Sequence, residues 1–297
     1  MRNSIRCLCL PFACLAPMAL PAAPTTHFDG DHIKIDLMLE QMPAPGQTAW
    51  MGVVLTPDPG WHTYWVNPGD SGLPTKLAWT LPAGFKAGEI AWPAPKRIKV
   101  GDLYNFGYDG IALLPVPIEV PPDAPPGSVA HLAVTVKWLV CHEECVPGKA
   151  ELSFDLPIRN PVPAATKTRI NAVAQDFSQS DALFGDARRR LPIRSGRQAH
   201  SVLGGDRIEV TLHDAGLPTS ATLDALAVQT GIVANTPPKV DIRGDDIVFT
   251  FAKSDYFTSI PERFDLVLTD GNANARLVHA PFGDATPSPS AKPRNPP

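Results

Sequence analysis

The proline content is the feature that most limits what this chain can fold into. Proline accounts for 34 of the 297 residues, well above its usual share of about 5%. Because proline lacks a backbone N–H donor and breaks helix interiors, we expect few long helices. Hydrophobic residues make up 44% of the chain, which is enough for a core and excludes global disorder. The length favours two domains over one.

The charge balance argues against a nucleic-acid partner. Lysine and arginine total 26 against 30 acidic residues, for a formal net charge of -4. A nucleic-acid binder needs a basic surface to neutralise phosphates, and this composition does not supply one.

Residues 1–23 are predicted to be a secretory signal peptide. Arg2 and Arg6 lie at the start of an apolar stretch that ends in small residues, the order typical of such signals. A lipoprotein anchored through Cys14 is the alternative. The stretch is shorter than the roughly 20 apolar residues of a spanning helix, and no later segment is long enough. We therefore expect an exported protein with no membrane span in the mature chain.

Short segments of alternating apolar residues predict an all-β fold. The clearest runs from 32 to 39, where Ile33, Ile35, Leu37 and Leu39 alternate with other residues, as on a strand with one buried face. Short strands separated by turn residues, without a helical period, favour an immunoglobulin-like antiparallel β-sandwich. The other predicted strands are 50–55, 75–80, 111–120, 132–140, 150–157, 207–212, 225–229, 240–242, 247–251 and 264–268. Pro115 and Pro117 predict that 111–120 is an edge or bulged strand.

One amphipathic helix is predicted after the sandwich. Ile170, Val173, Ala174 and Phe177 have helical spacing, and we expect the helix to end near Gly185. The basic run 188–190 after it is predicted to be solvated. The predicted organisation is a signal peptide (1–23), an immunoglobulin-like domain (29–160), a helical linker (161–192), a second, smaller β domain (193–281) and a disordered tail (282–297).

Cys141 and Cys145 are the pair that points to a function. The chain has five cysteines, and three of them lie in the predicted signal, so these two can pair only with each other within one chain. In an oxidising compartment we expect them to form a disulfide across a three-residue turn. A loop this short stabilises a large domain by only about 2 kcal/mol, which favours a redox role over an inert staple. His142 could modulate a thiolate by its charge or accept its proton.

Two alternatives to a redox role remain open. Cys141, His142 and Cys145 offer ligands that suit copper or zinc, so a metal-binding module is one. A noncatalytic interaction domain with an inert disulfide is the other. We expect no bound cofactor, since neither a haem-attachment motif nor a phosphate-binding loop is present.

Aromatic residues near the predicted turns allow two interpretations. Tyr104, Phe106 and Tyr108 lie in a segment bounded by glycines and could cap the sulfurs when no partner is bound; ordinary packing at the end of a sandwich is the alternative. Trp61, Tyr64 and other aromatic residues nearby are interpreted as core packing.

Five segments together resemble one family. They are GWHTYWVNPGDSGLP at 60–74, IAWPAP at 90–95, NFGY at 105–108, WLVC followed by CVPG at 138–148, and SDYFT at 254–258. They are similar to the extracytoplasmic region of the DsbD-type thiol:disulfide interchange proteins, particularly the ScsB-like branch. The resemblance to the amino-terminal periplasmic domain runs from about residue 31 to 158.

The resemblance implies a periplasmic immunoglobulin-like domain whose cysteine pair cycles between dithiol and disulfide. By position, Cys141 and Cys145 match that pair, with Cys145 as the attacking thiol and Cys141 as the resolving thiol. Fewer residues separate the cysteines here than in the better-known DsbD domain. The implied partners are periplasmic thioredoxin-fold proteins and a separate membrane electron donor, since the chain lacks the family's membrane and thioredoxin-like domains. The implied activity is that of a protein-disulfide reductase component.

Overall fold

A computed structural model of the protein describes residues 23–160, 177–213, 223–270 and 274–283. Nearly all of the predicted signal, the beginning of the predicted helix and most of the predicted tail lie outside these ranges. Within the described ranges the chain forms β-strands and one helix, so the fold is all-β.

The strands of the first β unit are β1(His27–Gly30), β2(Ile33–Leu39), β3(Thr48–Pro57), β4(Thr63–Gly69), β5(Lys76–Thr80), β6(Lys86–Ala87), β7(Lys96–Val100), β8(Leu103–Tyr108), β9(Ala112–Glu119), β10(Val129–Cys141) and β11(Cys145–Pro157). The helix α1(Phe177–Arg190) follows. The strands of the second β unit are β12(Ile193–Arg194), β13(Ala199–Gly204), β14(Arg207–Leu212), β15(Asp224–Ala227), β16(Lys239–Arg243), β17(Asp246–Ala252), β18(Asp265–Thr269) and β19(Ala275–His279).

The first β unit is an immunoglobulin-like sandwich. A sheet ordered β1-β2-β3-β9-β6 packs against a sheet ordered β11-β10-β5. The alternation that predicted β2 is observed, since Ile33, Ile35, Leu37 and Leu39 are all buried in the shared core. Burial of such apolar faces supplies the main driving force for the sandwich.

A small third sheet, ordered β4-β8-β7, completes the first unit. It joins β10 through an isolated antiparallel bridge between His62 and Cys141. The predicted strands did not include these three, because their sequences show no clean alternation. Gly107 of β8 passes so close to β4 that a side-chain Cβ there would lie 1.9 Å from the Thr63 carbonyl oxygen. Glycine at 107 therefore permits the pairing that forms this sheet.

The second β unit contains two further sheets, ordered β12-β19-β18-β15 and β13-β14-β17-β16. The first of these is buried on both faces: Leu226 and Val267 join the core of the sandwich, whereas Ala225 and Leu266 join the core of the second unit. Successive side chains of a strand point to opposite faces, so one sheet serves both cores. The domain boundary predicted near residue 193 stays a prediction.

Helix α1 differs from the predicted helix at its end. It continues past Gly185 to Arg190, because the basic side chains of its last turn suit the negative end of the helix dipole. Phe184 and Ala187 pack against the outer face of the β3–β9 pair. Arg188 and Arg189 of the predicted solvated run are exposed, and Arg188 forms two hydrogen bonds with Glu40, 2.8 and 2.6 Å long, and lies over the Trp50 ring.

Strand β9 is neither the edge strand nor the bulged strand that its prolines predicted, because its register with β3 is continuous. It lies between β3 and the two-residue β6. The carbonyl groups of Pro115 and Pro117 accept hydrogen bonds from Ala91 and Gly88 on the side away from β3. On that side each of the two prolines contributes a carbonyl acceptor and no donor is required of it, so the missing N–H groups cost the sheet little.

Candidate functional site

The cysteine pair closes the longest hairpin of the first unit. Strands β10 and β11 pair in continuous antiparallel register from Val129 opposite Pro157 to Cys141 opposite Cys145. A disulfide joins the two cysteines, whose Cα atoms lie 4.2 Å apart. That separation is typical of an antiparallel pair that does not exchange backbone hydrogen bonds, in which the side chains come closest. The predicted disulfide across a three-residue turn is therefore present.

The two sulfur-bearing residues differ sharply in exposure. Cys141 is only 2% exposed, whereas Cys145 is exposed at the hairpin end. The backbone of Cys141 is directed away from Cys145 and forms two hydrogen bonds with His62, at 2.9 and 3.0 Å. Cys141 is thus held in the sheet by its backbone, and Cys145 is the residue that an approaching protein can reach.

Tyr64 places a hydroxyl group next to the exposed cysteine. Its oxygen lies 3.7 Å from the Cys145 Sγ, and its ring is fully buried. Burial raises the pKa of Tyr64, outweighing a hydrogen bond with Ser71 that lowers it. The hydroxyl therefore keeps its proton at neutral pH and can donate to a thiolate at Cys145. Hydrogen bonds to ionised acceptors are stronger than neutral ones.

His62 and Asn105 form a buried polar pair beside Cys141. The Asn105 side-chain amide lies 3.3 Å from His62 Nε2 and donates to it when the neutral imidazole carries its proton on Nδ1. Burial lowers the pKa of His62; the charge of Asp109 opposes this shift, and that of His142 adds to it. The neutral imidazole is thereby favoured, which suits its role as an acceptor.

His142 lies at the exposed tip of the hairpin, as its place in the turn predicted. Its ring lies beside Trp61, with 6.0 Å between the ring centroids, and Trp61 in turn stacks on His32. His142 also faces Gly60, where a Cβ would lie 3.4 Å from the imidazole. A modulating role for the imidazole stays a prediction.

The structure places the three predicted cap residues at different depths. Phe106 and Tyr108 belong to the sandwich core, and the Tyr108 hydroxyl donates to the Pro93 carbonyl oxygen over 2.7 Å. Tyr104 is half-buried beside Lys99. The burial of Phe106 and Tyr108 is what core packing requires, whereas Tyr64 is the aromatic residue with a hydrogen-bonding contact to a sulfur atom. The cap stays a prediction.

The described ranges contain no group of three or more histidine, cysteine or acidic side chains placed to hold a metal ion. Besides His142, which was predicted as a possible ligand, His62 lies near the cysteines, where its backbone pairs with Cys141. The ring of His62, however, faces Asn105 and Tyr64. Among the described residues there is likewise no helix with the length and apolar composition needed to cross a membrane.

Tyr64 and Asn105 are site residues that sequence reasoning did not assign. The sequence did hold a signal for Tyr64: it is two residues from His62, and side chains at that spacing lie on the same face of an extended chain. Their rings do meet edge to face, with centroids 5.1 Å apart. Asn105 carried no such signal, since its partners come from separate segments of the chain.

Comparison with known proteins agrees with the fold of the chain. The family model described as the N-terminal part of thiol:disulfide interchange protein DsbD matches residues 37–157. Among solved structures, the crystal structure of the N-terminal periplasmic domain of ScsB from Proteus mirabilis matches with a TM-score of 0.62 and 20% identity. The match covers 88% of this chain and 98% of that one, so the two proteins share a fold through both β units. No curated protein matches this chain in sequence.

The family match and the fold lead to the same assignment. The matched segment begins within β2 and ends with β11, so it includes the strands that carry both cysteines. Residues 37–157 of this chain therefore resemble the N-terminal domain of DsbD, a thiol:disulfide interchange protein, in both sequence and fold.

Proposed function

We propose that this protein is a periplasmic thiol:disulfide exchange protein that relays electrons through Cys141 and Cys145. The observation that carries the proposal is the asymmetry of the pair, with Cys145 exposed at a hairpin end and Cys141 buried behind it. An exchanging pair needs one sulfur that a partner can reach and a second sulfur placed to release that partner.

The reductive half of the cycle begins with both cysteines reduced. The Cys145 thiolate attacks one sulfur of a partner's disulfide, and the partner's other sulfur leaves as a thiolate that takes up a proton. The Tyr64 hydroxyl, 3.7 Å from Cys145 Sγ, stabilises the attacking thiolate. The product of this step is a mixed disulfide between Cys145 and the partner.

Resolution then uses Cys141. After losing its proton, its thiolate attacks Cys145 Sγ and displaces the partner's sulfur, which is released as a thiol. The partner has gained two electrons and two protons, and the protein holds the Cys141–Cys145 disulfide. Two backbone hydrogen bonds to His62 hold Cys141 in position throughout. A dithiol on a separate membrane electron donor restores the reduced state, and the oxidised partner is a periplasmic thioredoxin-fold protein.

Trapping with single-cysteine variants tests this proposal. In Cys141→Ala, Cys145 should accumulate mixed disulfides with thioredoxin-fold proteins, because no resolving thiol remains. In Cys145→Ala the buried Cys141 should trap far less. Equal trapping by both variants would contradict the assigned roles, and no trapping by either variant would contradict the exchange function. Stoichiometric metal held by the reduced wild-type protein would instead favour a metal-binding module.

A further inference from the structure

Residues 67–72, which comprise the end of β4 and the turn after it and are called the loop below, connect the second β unit to the surroundings of the disulfide. Asn67 begins this loop and is only 1% exposed. Its Nδ2 donates to the carbonyl oxygen of Ala227 in β15 over 2.8 Å, and its Oδ1 accepts from the Gly69 N–H over 3.1 Å. The buried Asn67 amide thus binds the second unit through its nitrogen and the loop backbone through its oxygen.

Further along the loop, Asp70 repeats this double attachment. Its Oδ1 accepts from the side-chain amide of Asn235 over 2.9 Å, and its Oδ2 accepts from the Tyr104 N–H over 2.7 Å. The loop is therefore bound both to the second unit and to β8.

Arg97 fixes the neighbouring β7–β8 hairpin to the same part of the second unit. Its side chain is 8% exposed and forms hydrogen bonds of 2.9 and 2.8 Å with the two carboxylate oxygens of Asp224. It also donates to the carbonyl oxygens of Ala225 and Asn235. A bidentate guanidinium–carboxylate pair with little exposure fixes the relative geometry of the two elements.

The acceptor of Asn67 is itself held in place. Gln229 follows β15, and its side chain accepts from the Asp265 N–H over 2.8 Å. Its amide also donates to Asp265 Oδ2 over 3.2 Å. The Val228 N–H donates to the Asp265 carbonyl oxygen. Hydrogen bonds of the Val228 backbone and the Gln229 side chain to Asp265 therefore fix the segment that directly follows Ala227.

From the loop, two sets of contacts lead to the sulfurs. Ser71 donates through its N–H and its hydroxyl to Asn105 Oδ1, at 3.2 and 2.9 Å. Asn105 in turn contacts His62, whose backbone pairs with Cys141. These contacts fix the buried side of the disulfide.

The second set passes through Tyr64. At Gly72 the backbone has a φ of +99°, and a Cβ there would lie 2.2 Å from the Tyr64 ring. The loop backbone therefore lies directly on the ring, on a path that only glycine permits. The hydroxyl of that ring is the group next to Cys145 Sγ.

We propose that the second β unit positions the redox pair, with Asn67 as the positioning residue. By holding residues 67–72 on the Tyr64 ring, it keeps the hydroxyl at the Cys145 sulfur and so favours the thiolate. Asn67 contacts neither sulfur and acts through the loop. This inference rests on the proposed exchange function and adds a role for the second unit in it.

The test measures the pKa of the Cys145 thiol. In a Cys141→Ala background, the rate of alkylation by iodoacetamide is followed against pH, with the Cys145 peptide quantified by mass spectrometry. Adding Asn67→Ala should raise the thiol pKa by about one unit, a tenfold fall in the ratio of thiolate to thiol. Adding Asn235→Ala should also raise the thiol pKa, with at least about a twofold fall in the ratio of thiolate to thiol.

A control variant separates positioning from general loss of stability. Val210→Ala removes buried methyl groups from the core of the second unit, away from the loop, and should leave the thiol pKa unchanged. An Asn67→Ala protein that folds with an unchanged thiol pKa would overturn the inference. If Asn67→Ala does not fold, an unchanged pKa in Asn235→Ala overturns it.

The exchange function is tested separately in the same experiments. If Cys141→Ala forms mixed disulfides but Asn67→Ala does not alter the pKa, the positioning role fails and the exchange function stands. If neither Cys141→Ala nor Cys145→Ala forms mixed disulfides, the exchange function fails whatever the pKa of Cys145.

Discussion

Removing the Tyr64 hydroxyl tests how the site activates its exposed cysteine. Tyr64→Phe keeps the buried ring on which the Gly72 backbone packs and deletes only the oxygen 3.7 Å from Cys145 Sγ. The Ser71 hydroxyl keeps its hydrogen bond to Asn105. The variant should therefore fold like the wild type and lose two contacts of the Tyr64 hydroxyl, one with Cys145 Sγ and one with Ser71.

The size of the effect follows from the contact with Cys145 Sγ. A hydrogen bond to a charged group contributes about 1.5–3 kcal/mol. Because sulfur is a weak acceptor, we take the lower end of this range. One pKa unit corresponds to about 1.36 kcal/mol, so Tyr64→Phe should raise the pKa of the Cys145 thiol by about one unit. Below that pKa, exchange with a partner disulfide should slow by up to about tenfold, since the thiolate is the nucleophile.

The assay is the pH dependence of Cys145 alkylation in the Cys141→Ala background, with disulfide exchange rates measured in parallel. Tyr104→Phe is the matched control, because it removes a hydroxyl from a half-buried tyrosine on β8. It should leave the thiol pKa unchanged. An unchanged pKa in Tyr64→Phe would refute the role given to the hydroxyl, and an equal rise in both variants would show that the effect is not specific to the contact.

Two further predictions concern the sandwich core and the second β unit. Because Phe106 is 1% exposed, Phe106→Ala should lower the free energy of unfolding by about 3–5 kcal/mol in urea titrations; a stable variant whose sulfurs alkylate faster would favour the cap instead. Burial raises the pKa of Asp265, but hydrogen bonds from Arg263, His279 and Gln229 outweigh this and lower it from 3.8. The stability this carboxylate contributes is therefore complete above that value and lost as pH falls through the folded-state pKa. Unfolding measured across acidic pH should show a shallower loss in Asp265→Asn, and an unchanged slope would contradict this.

The parts of the fold that the sequence predicted are those with a local pattern. Strand β2 shows the alternation of one buried face, and the apolar positions of β10 likewise point into the core. Strands β4 and β8 instead carry proline, glycine and consecutive buried residues. Their pairing depends on close backbone approach at positions such as Gly107, which periodicity does not report.

The same division applies to the site. The cysteine pair was predictable because both residues lie on one hairpin, and their pairing needs only a short turn. The contact between Asn67 and Ala227 spans 160 residues, and the Tyr64 contact to Cys145 spans 81. No local pattern encodes which distant groups a buried amide or hydroxyl will meet, so these contacts required the three-dimensional fold.

The central claim is that the Cys141–Cys145 disulfide opens and closes reversibly, and its reduction potential tests this most directly. The measurement equilibrates the protein in dithiol redox buffers of defined potential and quantifies the reduced fraction. Structural disulfides of exported proteins typically have potentials below about -300 mV, whereas exchanging ones lie higher. We predict a midpoint above about -300 mV, with full reversibility in both directions. A midpoint well below that value, or a bond that stays closed in excess dithiol, would contradict the account.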